Sequence, residues 1–229
     1  MKINYSGWEL KYFDNAKFFR KYQFDLIKKH ITGSTAEIGP GNGTNIRYYL
    51  NYVSNIDCYE PSKNLYTRLK KKFLKKKKIK IFKKKFKNIK KKYNTILYLD
   101  VLEHIKNDKQ EFFSAYSSLK KGGKLIINVP AFNFLYSEFD KDIDHIKRYK
   151  KKDFENMLKR TRYKKKELFY YDFIGFILSL FAKIFSKNYK SNFGLKIKFW
   201  DLLIPVSRIL DKLTFYSFGK SLICVVEKN

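Results

Sequence analysis

The segment from Glu37 to Thr44 places three glycines, Gly39, Gly41 and Gly43, at alternate positions straight after a short apolar run. Glycine has no Cβ, so it tolerates a positive φ and lets the backbone turn sharply and approach a ligand closely. The segment lacks the spacing and the lysine of a phosphate-binding loop, and a carboxylate at Glu37 would repel a phosphate. We therefore expect the Glu37 carboxylate and the three glycines to border a cationic or hydroxyl-bearing ligand.

Acidic residues also stand where other predicted strands end. Glu60 closes the second predicted strand, and the run Asp100-Val101-Leu102 follows the fourth. In an open parallel sheet, ligands bind beyond the carboxyl ends of the strands. Glu60 lies 17 residues beyond Gly43, which is close to the spacing at which a carboxylate meets a ribose diol in dinucleotide-binding units. Taken alone, this pattern would equally suit a nicotinamide dehydrogenase.

The elements that must position these residues alternate along the chain. Besides the strand that leads into Gly39, apolar runs predict strands at 55–60, 79–82, 95–99, 124–129, 167–171 and 221–227. Helical spacing predicts helices at 15–31, 45–52, 62–73, 108–119, 151–160, 173–186 and 198–213, with a Gly122-Gly123 turn before the fifth strand. We predict an α/β fold: a Rossmann-like, doubly wound, mostly parallel seven-stranded sheet with helices on both faces and an inserted C-terminal helical cover.

Length and composition are consistent with a single domain spanning residues 1–229. The chain has 229 residues, of which 44% are hydrophobic, enough for one sizeable core. We divide it into a helical lead-in (1–33), a ligand-binding core (34–130) and an acceptor side with a helical cover and closing strands (131–229). Cys58 and Cys224 lie far apart in apolar runs and are expected to be buried thiols. The first residues show no export signal, so we expect a cytoplasmic protein.

The net charge of +30 raises nucleic acid or an anionic membrane as a partner. Only 7 of the 51 basic residues are arginine, although bidentate phosphate and guanine contacts favour arginine. The remaining 44 lysines, together with 22 phenylalanines and 18 tyrosines, fit an A/T-rich coding bias spread over solvated surfaces. We therefore do not expect nucleic acid as a partner.

Four motifs occur in an order that, taken together, is far more specific than any one of them. They are the Gly-x-Gly-x-Gly loop behind Glu37, the acidic Glu60, the segment Leu99-Asp100-Val101-Leu102-Glu103-His104-Ile105, and the turn Leu119-Lys120-Lys121-Gly122-Gly123-Lys124-Leu125. Over residues 34–130 the chain resembles the class I S-adenosylmethionine-dependent methyltransferases. Residues 131–149 and Gly219-Lys220-Ser221 are further similar to the UbiE/UbiG-like (type 11/12) superfamily, whose members often serve glycan and cell-envelope biosynthesis.

The resemblance implies S-adenosyl-L-methionine as the cofactor. It places the three glycines beside the methionine part, Glu60 on the ribose hydroxyls, and Asp100-Val101-Leu102 beside the adenosine or the sulfonium. One departure is the run Lys83-Lys84-Lys85, where such proteins often carry a small or acidic residue that meets the adenine amine. The implied reaction is methyl transfer to a small-molecule, glycan or lipid-linked acceptor, with oxygen as the expected acceptor atom.

Removing a proton from a hydroxyl acceptor calls for a base, and histidine is the commonest one. The chain has three histidines. His30 ends a predicted helix and is expected to meet the helix dipole there. His104, beside the cofactor cleft, either fixes its loop or takes part in catalysis. We predict His145 as the base or acceptor-binding residue, with Arg148 and Tyr149 orienting the acceptor and no metal ion required.

The predicted helix at 173–186 is apolar nearly all round, with Lys183, Lys187 and Lys190 within or beside it. It is too short to span a bilayer. It is expected either to pack as a cover over the sheet edge or to lean on the inner face of the membrane. An RNA or protein methyltransferase and a catalytically silent cofactor-binding scaffold remain alternatives, and the oligomeric state stays open.

Overall fold

The computed structural model describes residues 5–185 and 190–229, excluding the side chains of 184 and 185. Within them one seven-stranded sheet forms, in the order β3-β2-β1-β4-β5-β7-β6. Its strands are β1 (Gly33–Ile38), β2 (Val53–Tyr59), β3 (Ile79–Phe82), β4 (Tyr93–Leu99), β5 (Leu119–Pro130), β6 (Tyr163–Tyr171) and β7 (Ser221–Lys228). Strands β1 to β5 pair in parallel, whereas β7 runs antiparallel to both β5 and β6. The predicted mostly parallel, Rossmann-like sheet is confirmed.

Helices connect these strands and cover both faces of the sheet. They are α1 (Leu10–Phe13), α2 (Lys17–Ile27), α3 (Ile46–Tyr49), α4 (Lys63–Phe73), α5 (Asp108–Ser117), α6 (Glu138–Asp142), α7 (Lys151–Leu158), α8 (Phe173–Phe185), α9 (Phe193–Leu202) and α10 (Ile204–Leu213). The last residue of the predicted helix 173–186 and Lys187 lie outside the described residues. No helix within the described ranges is long and apolar enough to cross a bilayer.

Two apolar cores lie on opposite faces of the sheet because successive residues of a strand point to opposite sides. In β4, Ile96 belongs to the core that includes Phe112 and Phe154, and Leu97 belongs to the core that includes Trp200. Helices α5 and α7 therefore cover one face, while α2, α9 and α10 cover the other. Both cysteines are free and buried, as expected.

Two predicted elements differ from the structure. The single helix predicted at 198–213 is two helices, α9 and α10, which meet at Leu203, with Pro205 in the first turn of α10. Proline lacks an N–H and cannot continue a helix at that point. The Gly122-Gly123 turn lies inside β5, because Tyr93 pairs with Leu119 while Thr95 already pairs with Lys124. The intervening residues form an irregularity of the strand, with Gly122 at a φ of +70°.

Buried carboxylates attach the helical cover to the sheet. Asp172, directly after β6, accepts hydrogen bonds from the Trp200 indole at 2.9 Å and from the Ser207 hydroxyl at 3.2 Å. Asp211 of α10 accepts from the Tyr22 hydroxyl at 2.7 Å and from the backbone N–H of Asp172 at 2.8 Å. Since buried polar groups must be paired, these bonds hold the cover in one position over the sheet edge. That position brings the Trp200 ring to the site described next.

Candidate functional site

A cavity of about 480 Å³ opens at the edge of the sheet where the parallel strands end. Of the predicted site residues, those that line it are Gly39, Gly41, Glu60, Asp100, His104, His145 and Arg148. Those that do not are Glu37, Gly43, Val101, Leu102 and Tyr149. The cavity therefore joins the predicted cofactor-binding residues and the predicted catalytic residues in one space.

The glycine loop has the backbone conformation that its sequence predicts. Gly39, Gly41 and Gly43 have φ values of +59°, +58° and +66°. A Cβ on Gly43 would lie 2.6 Å from the Phe73 ring, so this glycine also allows α4 to pack closely. The amide of Gly39 donates to the carbonyl of Tyr59 at 2.9 Å, which ties the loop to the end of β2.

The helical lead-in anchors the same loop from outside. Asp14, directly after α1, accepts hydrogen bonds from the Asn42 amide at 2.7 Å and from the Thr44 hydroxyl at 2.6 Å. Hydrogen bonds to a carboxylate are stronger than those between neutral groups. Four residues of the helical lead-in line the cavity: Tyr5, Glu9, Leu10 and Phe13.

Glu60 is fully buried from solvent and yet lines the cavity. Its carboxylate accepts backbone N–H bonds from Gly41 at 3.3 Å and from Ser62 at 2.9 Å. Burial raises the pKa of this carboxyl to about 7, against the opposing effect of the two amides. Each oxygen keeps acceptor capacity for a further donor, which is what a ribose diol offers.

Glu37 lies beneath the glycine loop, outside the cavity lining. Its carboxylate accepts a hydrogen bond from the hydroxyl of Tyr49, and both side chains are buried. Burial raises the pKa of Glu37 to about 7. The bond to Tyr49 joins β1 to α3, so Glu37 supports the loop from below, and its contact with the cofactor stays a prediction.

Asp100 follows β4 with a φ of +59°, a conformation that side chains other than glycine rarely adopt. The carboxylate accepts from the Asn128 amide at 2.5 Å and from a guanidinium nitrogen of Arg20 at 3.4 Å. Arg20 lines the cavity, and its Nε has no hydrogen-bond partner among the described residues. Val101 and Leu102, the next residues along the chain, are buried in the core.

His145 faces the cavity from the segment that follows α6. Its Nδ1 lies 2.8 Å from a carboxylate oxygen of Asp140, and its Nε2 lies 3.7 Å from Glu103. The backbone holds the segment in place, because the His145 amide donates to the Asp140 carbonyl at 2.8 Å and the Ile146 amide donates to the Glu103 carbonyl at 2.9 Å. A carboxylate on one ring nitrogen sets the orientation and tautomer of an imidazole.

Asp140 also binds Arg148 in a bidentate pair, with both N···O distances at 2.9 Å. Burial would raise the pKa of Asp140, but the hydrogen bond from His145 and the charge of Arg148 outweigh it and hold the pKa well below its usual range. The Arg148 charge is therefore already neutralised by Asp140. Arg148 acts on His145 through their common partner.

His104 lies next to His145, with ring centroids 4.7 Å apart and the rings nearly perpendicular. Its Nδ1 lies 3.2 Å from the carbonyl oxygen of Asp144. Burial, followed by the nearby His145, lowers the pKa of His104 to about 3. A neutral His104 at physiological pH can position its neighbours but is a weak base.

Glu103 is buried, and neither of its carboxylate oxygens has a hydrogen-bond partner among the described residues. Burial, together with the charge of Asp100, raises its pKa well above the usual range. Ligand atoms of Glu103, His104 and His145 lie within 4.8 Å of one another, so these three residues could hold a metal ion. Methyl transfer from a sulfonium does not itself require one.

Tyr149 and His30 have structural partners away from the cavity. The Tyr149 hydroxyl donates to Asp108 at 2.9 Å, and its ring is fully buried. The Tyr149 amide donates to the Pro130 carbonyl at 2.9 Å, which fixes the neighbouring Arg148 against the end of β5. His30 ends the helical turn after α2, as expected, and lies 3.1 Å from Glu167.

Sequence reasoning did not assign five of the lining residues that matter here. They are Arg20, Glu103, Asp140, Trp200 and Lys220. Two of them had a usable signal. Asp140 stands three residues after Ser137 in a capping box, which marks a short helix. Arg20 is a charged residue on the buried, mostly apolar face of α2, where Gln23 accepts a hydrogen bond from it at 3.3 Å.

Comparison with known proteins is consistent with this geometry. A family model described as a methyltransferase domain matches residues 13–167. No curated protein matches the sequence.

Solved structures share the fold over nearly the whole chain. A proposed methyltransferase of Bacillus halodurans is 14% identical with a TM-score of 0.62, covering 91% of this chain and 98% of its own. The N-methyltransferase NodS of Bradyrhizobium japonicum, bound to S-adenosyl-L-homocysteine, is 9% identical with a TM-score of 0.61, covering 93% and 88%. An S-adenosylmethionine-dependent methyltransferase of Clostridium acetobutylicum is 12% identical with a TM-score of 0.57, covering 95% and 92%.

Proposed function

The chain belongs to the methyltransferase family whose model matches it, and we propose that it methylates an oxygen of a small-molecule, glycan or lipid-linked acceptor. The observation that carries this proposal is the shared cavity. His145, oriented by Asp140, lines the same space as Gly41 and Glu60. Donor-binding and proton-accepting groups therefore face one another across it.

The cofactor is S-adenosyl-L-methionine, and residues at the ends of β1, β2 and β4 fit it. Glu60 offers buried carboxylate oxygens to the ribose hydroxyls, and the glycines allow close approach of the backbone. Arg20 lines the cavity beside Asp100, and its guanidinium is the group that we assign to the cofactor's carboxylate. When bound, the cofactor supplies a methyl group on a positively charged sulfur, which departs neutral.

The protein's own groups then have two tasks, to hold the acceptor in line and to accept its proton. His145 is suited to the second task because Asp140 stabilises the imidazolium that forms when Nε2 takes a proton. Arg148 keeps Asp140 ionised and in place. Glu103, His104 and the Asp144 segment enclose the base and limit access of water.

The experiment that tests this proposal has two arms. Calorimetry of the purified protein with S-adenosyl-L-methionine tests the donor half, and absence of heat at millimolar ligand would leave only a scaffold role. Incubation with methyl-labelled cofactor and fractionated cell extract tests the acceptor, and we expect label in the small-molecule or lipid fraction. Label confined to RNA or protein would contradict the proposal and favour the alternative methyltransferase class.

The exposed surface of the helical cover supports the proposal that the protein binds its acceptor at a membrane surface. Helix α9 exposes Leu195, Phe199 and Leu202 at 63%, 57% and 66%, and α10 exposes Ile209 and Leu213 at 61% and 68%. Each set recurs at helical spacing, so each forms an apolar stripe. Exposed lysines accompany the stripes: Lys196, Lys198 and Lys212. Apolar side chains beside lysines suit the surface of an anionic membrane.

Vesicle co-sedimentation checks this contact. We expect the protein to sediment with vesicles containing phosphatidylglycerol and to remain in solution with phosphatidylcholine alone. The double variant Ile209→Ser/Leu213→Ser should lose most of the binding, whereas Leu74→Ser, at an equally exposed position after α4, should retain it. Equal binding by both variants would contradict membrane contact through α10.

A further inference from the structure

A lysine lies in the cavity on the side of β7. Lys220 immediately precedes this strand, and its ammonium nitrogen lies 4.0 Å from the centroid of the Trp200 ring and 5.6 Å from that of Phe13. All three residues line the cavity. No hydrogen bond or ion pair joins this ammonium group to any other residue in the described ranges. Aromatic rings therefore form its close contacts, and the nearby carboxylates, Asp172 first among them, act on its charge from beyond ion-pair distance.

The surroundings of Lys220 are rigid. Trp200 is only 4% exposed, and its indole N–H donates to Asp172 at 2.9 Å. The backbone amide of Lys220 donates to the Asp172 carbonyl at 3.0 Å, while its own carbonyl accepts from Ala131 at 2.8 Å. Burial lowers the pKa of Lys220, with the charge of Asp172 opposing this effect. A bound anion would compensate for the desolvation of this cation.

The place of Lys220 in the sheet separates it from the cofactor. Strand order runs β2-β1-β4-β5-β7, so three strand spacings, about 14 Å, separate the end of β1 from the start of β7. The residues assigned to the cofactor, Gly39, Gly41 and Glu60, follow the ends of β1 and β2. Arg20 lies beside Asp100 at the end of β4, and it is the cation that the proposed function assigns to the cofactor's own carboxylate.

The other charged residues of the cavity explain why a positive charge at Lys220 indicates an anionic ligand. Acidic residues in the lining outnumber the basic ones, which are Arg20, Lys106, Arg148 and Lys220, although burial raises the pKa of Glu9, Glu60 and Glu103. Arg148, which also lies on the acceptor side, is already paired with Asp140. In the described part of the chain, no carboxylate lies within ion-pair distance of Lys220. Lys220 therefore places a positive charge on the acceptor side that is not neutralised by an ion pair.

We propose that Lys220 binds an anionic group of the methyl acceptor, a carboxylate or a phosphate, while the Trp200 and Phe13 rings pack against the flat or apolar part beside it. This inference rests on the proposed function and narrows the class of acceptor. According to this inference, a neutral sugar or a neutral phenol without an anionic group is not a substrate. A sugar phosphate, an aromatic acid or a phosphate-linked lipid glycan fits.

The charge of the labelled product tests the inference directly. The wild-type protein is incubated with methyl-labelled S-adenosyl-L-methionine and fractionated extract, and the labelled product is applied to an anion-exchange resin before and after phosphatase treatment. We expect retention before treatment. Retention that is lost after treatment identifies a terminal phosphate, and retention that persists identifies a carboxylate or a phosphate in a diester link. A labelled product that the resin does not retain overturns the inference.

Variants of Lys220 connect the charge to this residue. Lys220→Gln should raise the KM for the labelled acceptor about 10- to 100-fold, the effect of losing one hydrogen bond between charged groups. Lys220→Arg should bring the KM for the acceptor most of the way back to the wild-type value. The matched control Lys121→Gln, exposed at the opposite end of β5, should leave KM unchanged. A Lys220→Gln KM within twofold of the wild type overturns the assignment to Lys220.

Calorimetry with the cofactor distinguishes this failure from failure of the proposed function. Absence of cofactor binding by the wild type contradicts the function itself. Normal cofactor binding with a neutral labelled product contradicts the anion site alone. We expect Lys220→Gln to bind S-adenosyl-L-methionine with the dissociation constant of the wild type, because Lys220 lies on the acceptor side.

Discussion

The proposed donor half and the proposed acceptor half of the cavity are built from different kinds of interaction. The donor half comes from the ends of the neighbouring strands β2, β1 and β4, and its central residue Glu60 is held by backbone amides of Gly41 and Ser62. The acceptor half combines the segment that follows α6 with Trp200 and Lys220, and its central residue His145 is held by the side chain of Asp140, five residues before it. Backbone-held groups follow from local sequence, whereas side-chain networks depend on tertiary packing.

The largest expected effect separates catalysis from cofactor binding. His145→Ala should lower turnover about 10²- to 10⁴-fold, the usual contribution of general base catalysis, and leave the cofactor dissociation constant unchanged. Steady-state kinetics and calorimetry measure the two quantities. His104→Gln is the neighbouring comparison, and it should cost less because burial lowers the pKa of His104 to about 3 and keeps it neutral. A parallel loss of cofactor affinity in His145→Ala would show that the two halves are not independent.

Removing the carboxylate that connects the acceptor half should destabilise the fold. Asp140→Asn leaves Arg148 buried without its ionic partner, which costs about 3–5 kcal/mol in the free energy of unfolding. Chemical denaturation measures the change. Glu138→Gln is the matched control on the same helix, with a side chain that is 73% exposed and an ion pair that contributes little. Equal stabilities of the two variants would contradict a structural role for Asp140.

A substitution in the donor half should have the opposite effect to that of His145→Ala. Glu60→Ala should raise the cofactor dissociation constant about 100-fold, the effect of two hydrogen bonds to a charged acceptor, with little change in turnover at saturating cofactor. Titration calorimetry measures the affinity. Glu155→Ala, an exposed position on α7, serves as the control. Unchanged affinity in Glu60→Ala would remove the ribose from this position.

The backbone conformation of the glycine loop gives a smaller effect. Gly43→Ala places a Cβ 2.6 Å from Phe73 at a φ of +66°, and should destabilise the protein by about 1–3 kcal/mol. Gly122→Ala has a similar φ of +70° but open space around the Cβ, so it should cost about 1 kcal/mol. The difference between the two melting curves measures the steric part. Equal costs would mean that close packing of α4 does not require Gly43.

The smallest expected effect is a pH dependence of cofactor affinity. Burial raises the pKa of Glu60 to about 7, and only the ionised carboxylate accepts on both oxygens, so protonation weakens ribose binding. The dissociation constant should therefore rise as pH falls through 7, by about tenfold per unit below it. Glu60→Gln should abolish this slope. Glu37→Gln should retain it, because Glu37 also has a pKa of about 7 but lies outside the cavity lining.

Much of the fold was predictable because its signals are local. Alternating apolar strands and helices predicted the seven-stranded sheet. The glycine spacing predicted positive φ values in the loop that follows β1. The join between α9 and α10 was missed although Pro205 marked it, because the flanking apolar residues continued a helical period. The antiparallel placement of β7 between β5 and β6 depends on long-range pairing, which no local pattern encodes.

The amino-acid sequence by itself predicted the glycine loop with its positive φ values and the carboxylate after β2, because these features depend on backbone geometry within two consecutive strand units. Only the tertiary structure decided the acceptor half. It turned the Tyr149 hydroxyl away toward Asp108, brought Asp140 between His145 and Arg148, and placed Lys220 against Trp200. The physical reason is that side-chain partners depend on how the chain folds: Tyr149 meets Asp108 from 41 residues away, and even Asp140, His145 and Arg148, which are close in sequence, meet only in the folded segment.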